Sequence, residues 1–403
     1  MFTQIPRKGK KINITKHIKT LKQNLDNLDY YIFIPFIVLA VIGIIMVYSA
    51  SSNISIQNGG SPLGYLIRQS MFVCISLFII MLCLSGNNKF ARNSRFLGIF
   101  YFTMIIVLLG LKFFGKSVNG SAGWIALGPI HIQPAEVAKA YIILRMSQFI
   151  SSREDRFISG DRTGLFGQLI SICIMLVLIL FQPDLGGTVI NAAILIVLLF
   201  ASGINWRGAS LLTLLGLVFS WSLLKLLVIT HPNGSSNYQM NRIVAYANPF
   251  KYARGIGQQL VNSYYALSNG GVFGVGLGNS IQKTGYLPEP NTDFIMSIIS
   301  EELGLVGILF ILILLFAIVT RCVQLGIRSD NTYDTLVCYG VAIYMLVQSF
   351  FNVGGAVGLL PITGVTFPFI SYGGSSMLTL ALCIGMVLVI GSKQKMSKMR
   401  NRR

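Results

Sequence analysis

Apolar residues in this 403-residue chain gather in long runs divided by short polar breaks. About ten of these runs approach the ~20 residues that a helix needs to cross a bilayer. They fall at 30–50, 64–84, 97–114, 132–150, 166–181, 187–204, 208–229, 292–320, 334–353 and 368–391. The pattern predicts an all-α polytopic membrane protein with ten transmembrane helices and both termini cytoplasmic. One large outer loop, about 230–291, would join helices 7 and 8. Residues 1–29 form a basic N-terminal tail, 30–391 the transmembrane domain and 392–403 a basic C-terminal tail.

Composition agrees. Hydrophobic residues make up 53% and charged residues 11%, values that exclude an ordinary soluble globular protein. The net charge of +19 could suggest nucleic acid. Its distribution does not: Lys8, Lys11, Lys16, Arg92, Arg95, Arg153, Arg207, Arg321, Lys398 and Arg402 all fall on the side assigned to the cytoplasm, as the positive-inside rule requires. The first run is too long, and its basic lead too extended, for a cleaved signal peptide. Six cysteines without CxxC spacing and three scattered histidines predict no disulfide framework and no metal site.

Few acids lie near the membrane, and Asp293 stands out among them. A polar stretch ends at Thr292 and an apolar run begins at this carboxylate. At 3.6 residues per turn, Asp293, Ser297, Ser300, Glu301 and Gly304 would share one helical stripe, with Glu301 roughly 12 Å deeper. Such a carboxylate suits a general base that takes a proton from a hydroxyl nucleophile. It equally suits an N-terminal cap, as do Asn291 and Thr292. Glu136 and Lys139, three apart behind Pro134, would share a face as an intramembrane pair, either locking the fold or meeting substrate. Glu301 would hold helices together, and Glu302 has no assigned role. Basic residues on the outer side run against the charge rule: Arg68, Arg242, Lys251, Arg254 and Lys283. An anionic ligand such as a lipid pyrophosphate would explain them, as would snorkelling to ordinary phospholipid.

Gly285-Tyr286-Leu287-Pro288-Glu289-Pro290-Asn291-Thr292-Asp293, then Glu301-Glu302-Leu303-Gly304, resembles the SEDS family (shape, elongation, division and sporulation). So do Leu360-Pro361-Ile362-Thr363-Gly364, Pro368 to Ser376, Gln133-Pro134 with Glu136 and Lys139, and Gln182 to Gly186. Gly276 to Ser280 with Gln282-Lys283 is most similar to the division-type branch, although Pro290-Asn291 stand where the family has Ala-His. The resemblance implies a peptidoglycan glycosyltransferase polymerising lipid II outside the cytoplasmic membrane, beside other division proteins at the septum; no nucleic-acid partner is expected. It implies Asp293 as the catalytic carboxylate, Glu136 with Lys139 as a functional ion pair, and a class B penicillin-binding protein transpeptidase as partner. Arg68, Arg242, Arg254 and Lys283 would face the pyrophosphate, and a divalent cation, Mg or Mn, could share that task. The competing readings are a lipid II flippase or other transporter, and an elongation-type polymerase.

Overall fold

In lipid, a run of some twenty apolar residues satisfies its peptide groups by becoming a helix. A computed structural model describes residues 14–57, 59–86, 89–114, 123–127, 130–159, 161, 163–203, 210, 214 and 238–401. The helices are α1 (Ile14–Asp26), α2 (Tyr30–Gln57), α3 (Gly64–Ser85), α4 (Ser94–Phe114), α5 (Pro134–Ser151), α6 (Glu154–Ile158), α7 (Leu165–Leu180) and α8 (Leu185–Ala201). After them come α9 (Tyr238–Ala247), α10 (Gln258–Gly270), α11 (Ile295–Ile327), α12 (Thr332–Ala356) and α13 (Gly374–Asn401). Among the described residues, six helices (α2, α3, α4, α11, α12 and α13) are long and apolar enough to cross a membrane, and α7 and α8 are shorter apolar helices. Each expected run matches a helix except 208–229, of which all but residues 210 and 214 lie outside the described residues.

The all-α expectation needs one amendment. Ile125–Leu127 (β1) and Ile130–Ile132 (β2) pair antiparallel, with Ile125 opposite Ile132. This hairpin leads into Gln133, and Pro134 then occupies the first turn of α5, where a missing N–H costs nothing.

α13 forms the centre of the bundle. Its residues from Gly374 to Ser392 are almost all buried, as expected of a helix apolar on every side and enclosed by others. The helix continues through Asn401, so most of the expected basic tail extends it. α1 is tied back to the bundle: Asn24 Nδ2 donates to the Leu84 carbonyl at 2.6 Å, and Ser392 Oγ donates to Asn24 Oδ1 at 2.9 Å.

α11 is interrupted at Gly304, whose φ of 68° and ψ of −169° are non-helical. The break frees peptide groups that must find other partners, and residues 271–276 supply them. Val275 and Gly276 donate to the carbonyls of Glu301 and Glu302 at 2.9 and 3.0 Å, while Leu305 and Val306 donate to Gly271 and Val272 at 3.0 and 3.1 Å. The Gly-rich segment is therefore a docked part of the fold. Beyond the break, Leu305, Leu309, Ile313 and Phe316 present an exposed apolar stripe, while Ile295 to Glu302 are buried.

Candidate active site

The approach to α11 is a series of turns, and Asp293 precedes the first helical residue. The N-cap position is Phe294, which has no side-chain capping bond. Capping, one of the two roles open to Asp293, is thus not what its carboxylate does. A genuine cap exists elsewhere: Asp184 Oδ1 accepts the Gly187 N–H at 2.7 Å at the start of α8.

The signature segment 360–376 surrounds Asp293. Asn352 Nδ2, on α12, donates to the Asp293 carbonyl at 2.9 Å and to the Val365 carbonyl at 2.7 Å. Ser371 Oγ donates to the Thr292 carbonyl at 2.7 Å, and the Tyr372 N–H to the Asn291 carbonyl at 2.8 Å. Gly364, at φ +74°, passes so close that a Cβ there would lie 2.9 Å from Arg242 Nη1 and 3.4 Å from Asp293 Oδ2. These contacts explain why two motifs some seventy residues apart belong together.

Arg242, from α9, completes the centre. Its Nη2 lies 3.8 Å from Asp293 Oδ2, and the two side chains are only 19% and 16% exposed. Burial pushes the Asp293 carboxyl up to about 6; the Arg242 guanidinium opposes that rise, while Glu289 and Asp184 add to it. A carboxylate held near neutrality is a competent general base at physiological pH. Among the described residues, no group of three or more His, Cys, Asp or Glu side chains is placed to hold a metal ion.

Other expected site residues are dispersed. Lys139 Nζ donates to Glu136 Oε1 at 2.5 Å, and the ammonium is fully buried. This pair is formed as expected, but within the bundle. Arg68 is exposed near one end of α3; Tyr65, one turn earlier, packs edge-to-face on Tyr372 at 4.9 Å, which places Arg68 on the rim of the Asp293 segment. Arg254 is exposed and lines a surface crevice with Lys251 and Tyr252.

Lys283 requires correction. It does not face a ligand: it is 4% exposed, and Nζ donates to Glu302 Oε1 at 2.6 Å and to Ser49 Oγ at 2.9 Å. A buried ammonium needs an ionic partner, and that partner is Glu302, which the sequence left without a role. The expected stripe is corrected as well, because Asp293 lies before the helix and Gly304 breaks it. Glu301 is fully buried and accepts bonds from Ser280 Oγ, Asn269 Nδ2 and the Ile281 and Gln282 N–H groups. It fastens the connecting segment to α11.

The chain is similar to known proteins over most of its length. The cell cycle protein family model for FtsW, RodA and SpoVE matches residues 29–396. The chain is 38% identical over 391 residues to the probable peptidoglycan glycosyltransferase FtsW of Lactococcus lactis, covering 91% of this chain and 93% of that one. It is 33% identical over 386 residues to the protein of the same name from Bacillus subtilis, covering 95% of each. Among solved structures, a chain from a peptidoglycan synthase complex that coordinates polymerization and crosslinking superposes with a TM-score of 0.71 at 25% identity, covering 91% of this chain and 98% of that one. The rod shape determining protein RodA of Thermus thermophilus shares the fold, with a TM-score of 0.63 at 24% identity and coverage of 91% and 97%. With its apolar helices and its signature segments folded around one carboxylate, the chain is a multi-pass membrane protein belonging to the FtsW, RodA and SpoVE cell cycle protein family, the SEDS family.

Proposed function

We propose that the protein is a peptidoglycan glycosyltransferase of cell division that polymerises lipid II at the outer face of the cytoplasmic membrane. Asp293 accepts the proton of the 4-hydroxyl on the acceptor sugar. That oxygen attacks the anomeric carbon of a second lipid-linked sugar, the bond to the pyrophosphate breaks, and undecaprenyl pyrophosphate leaves. Arg242, beside the base, stabilises charge on the departing pyrophosphate, the kind of interaction that contributes most in such reactions. Arg68 and Arg254, both exposed, guide the anionic head group towards it.

One observation carries the reading: Asp293 is a partly covered carboxylate raised to about 6, free of capping duty and 3.8 Å from Arg242. The division role draws on the FtsW relatives at 33–38% identity. A crosslinking transpeptidase of the class B penicillin-binding type is the proposed partner, in keeping with the solved synthase complex. Septal localisation, cytoplasmic termini and an outward-facing 238–291 segment complete the proposal. Incubating the purified protein and its transpeptidase partner with lipid II in detergent tests it, because sidedness is absent there. Polymer is expected; lipid II left intact would favour a flippase.

A further inference from the structure

The Glu136–Lys139 pair is buried and has no described hydrogen bond or ion pair with Asp293. A row of side chains on α12 runs between the two. Tyr344, Gln348 and Asn352 recur every four residues and therefore stack along one helical face. Tyr344 OH donates to Glu136 Oε2 at 3.0 Å. Lys139 Nζ, besides its bond to Glu136, donates to Gln348 Oε1 at 3.1 Å. Gln348 Nε2 then donates to the Thr366 carbonyl at 2.9 Å, to Thr366 Oγ1 at 3.1 Å and to Ser376 Oγ at 3.0 Å. One turn further on, Asn352 Nδ2 holds the Asp293 and Val365 carbonyls.

Three consecutive residues of the signature segment receive these contacts. Gly364 packs against the Arg242 guanidinium and the Asp293 carboxylate, Asn352 holds Val365, and Gln348 holds Thr366. Gln348 is fully buried and Asn352 nearly so. Polar side chains inside a membrane helix are costly unless their bonds are satisfied. Gln348 is bonded through both amide atoms and Asn352 through Nδ2, its Oδ1 being buried without a partner among the described residues; the bonds that are made fix one arrangement of the groups they join.

We propose that Gln348 and Asn352 are positioning residues for glycosyl transfer. They join the buried Glu136–Lys139 pair to the 364–366 turn and to the main chain of Asp293, so the pair governs the placement of the base without touching substrate. The inference rests on Asp293 acting as that base.

The test is a double-mutant cycle on the purified full-length protein, with lipid II as probe. Gln348→Met and Lys139→Met are measured singly and together, and Asn352→Leu singly. Each single variant is expected to lower kcat at least tenfold with KM within threefold, since a displacement of about 1 Å can cost a hundredfold. The Lys139/Gln348 double variant is expected to be no slower than the slower single, because both substitutions break one connection. Multiplying effects, a loss confined to KM, or unchanged kcat would overturn the proposal. Should the methionine variants fail to fold, Gln348→Glu keeps the shape and the acceptor for Lys139 but removes the donors to Thr366. It is expected to be slow per folded molecule, with a lowered melting temperature because it buries a further carboxylate, and wild-type kcat in this variant would overturn the proposal. Asp293→Asn, run alongside, separates the two levels. Activity surviving that change removes the base assignment and the inference with it, whereas multiplying effects in an Asp293-dependent enzyme remove the positioning role alone.

Discussion

Replacing Gly364 by alanine perturbs the centre by one methyl group. The backbone there has φ +74°, a left-handed conformation that costs an L-residue about 1–2 kcal/mol. The added methyl would also lie 2.9 Å from Arg242 Nη1, with Asp293 Oδ2 at a comfortable 3.4 Å. The guanidinium is the flexible end of a long side chain, so it yields first, and the 3.8 Å approach to Asp293 is disturbed. A misplacement approaching 1 Å can lower a rate by about a hundredfold. The expected fall in kcat is roughly 10- to 100-fold, equivalent to about 1.4–2.7 kcal/mol in the barrier. The assay is the initial rate of polymer formation from lipid II, with a thermal melt in parallel. Gly59→Ala is the control, because Gly59 has φ +71° with nothing within 4 Å of a new Cβ. It bears a similar backbone cost far from any contact and is expected to keep its rate. A Gly364→Ala enzyme within twofold of wild-type kcat would refute the reasoning.

Other outcomes follow from the same geometry. The polymerisation rate is expected to rise with pH through about 6, as Asp293 loses its proton; a flat profile between pH 5 and 7 would count against it. The stability effect has a defined sign: a carboxyl raised from 3.8 to about 6 favours the folded state below its ordinary value and loses that contribution as pH rises through 6. Asp293→Asn is therefore expected to be more stable than wild type above pH 6, by on the order of 2–3 kcal/mol, with the gap closing towards pH 4, as denaturation across that range would reveal. Lys283→Met leaves Glu302 buried without its cation and is expected to destabilise by about 3–5 kcal/mol; unchanged melting with a raised KM would instead restore Lys283 to the substrate. A Cβ at Gly270 would fall on the Ser300 carbonyl, so Gly270→Ala is expected to lower the melting temperature by forcing α10 away from α11.

The helices were legible because hydrophobic run length is a local property, and every expected run within the described residues became a helix, six of them long and apolar enough to cross a membrane. Glu136 and Lys139 were legible for the same reason, being three apart on one helix. Contacts between distant segments were not. Lys283 looked like an exposed outer cation until the break at Gly304 and the docking of residues 271–276 placed it against Glu302 and Ser49. The break itself had a signal, a glycine within a helical run, but its partner carbonyls and amides lie some thirty residues away. Gln348 and Asn352 also carried a signal, as polar residues four apart in an otherwise apolar run. What they bind, the 364–366 turn and the Asp293 main chain, comes only from tertiary packing. Asp293 itself was equally good as cap or base until its position before Phe294 separated the two.

The most direct measurement compares wild-type protein and Asp293→Asn, each with the transpeptidase partner, for the initial rate of lipid II polymerisation and for lipid II affinity. The carboxamide keeps the shape of the side chain and removes the proton acceptor. The expected result is a rate at least a hundredfold lower, at the lower end of what positioned acid–base catalysis contributes, with affinity changed by no more than a few-fold. Polymer made at the wild-type rate by Asp293→Asn would contradict the account.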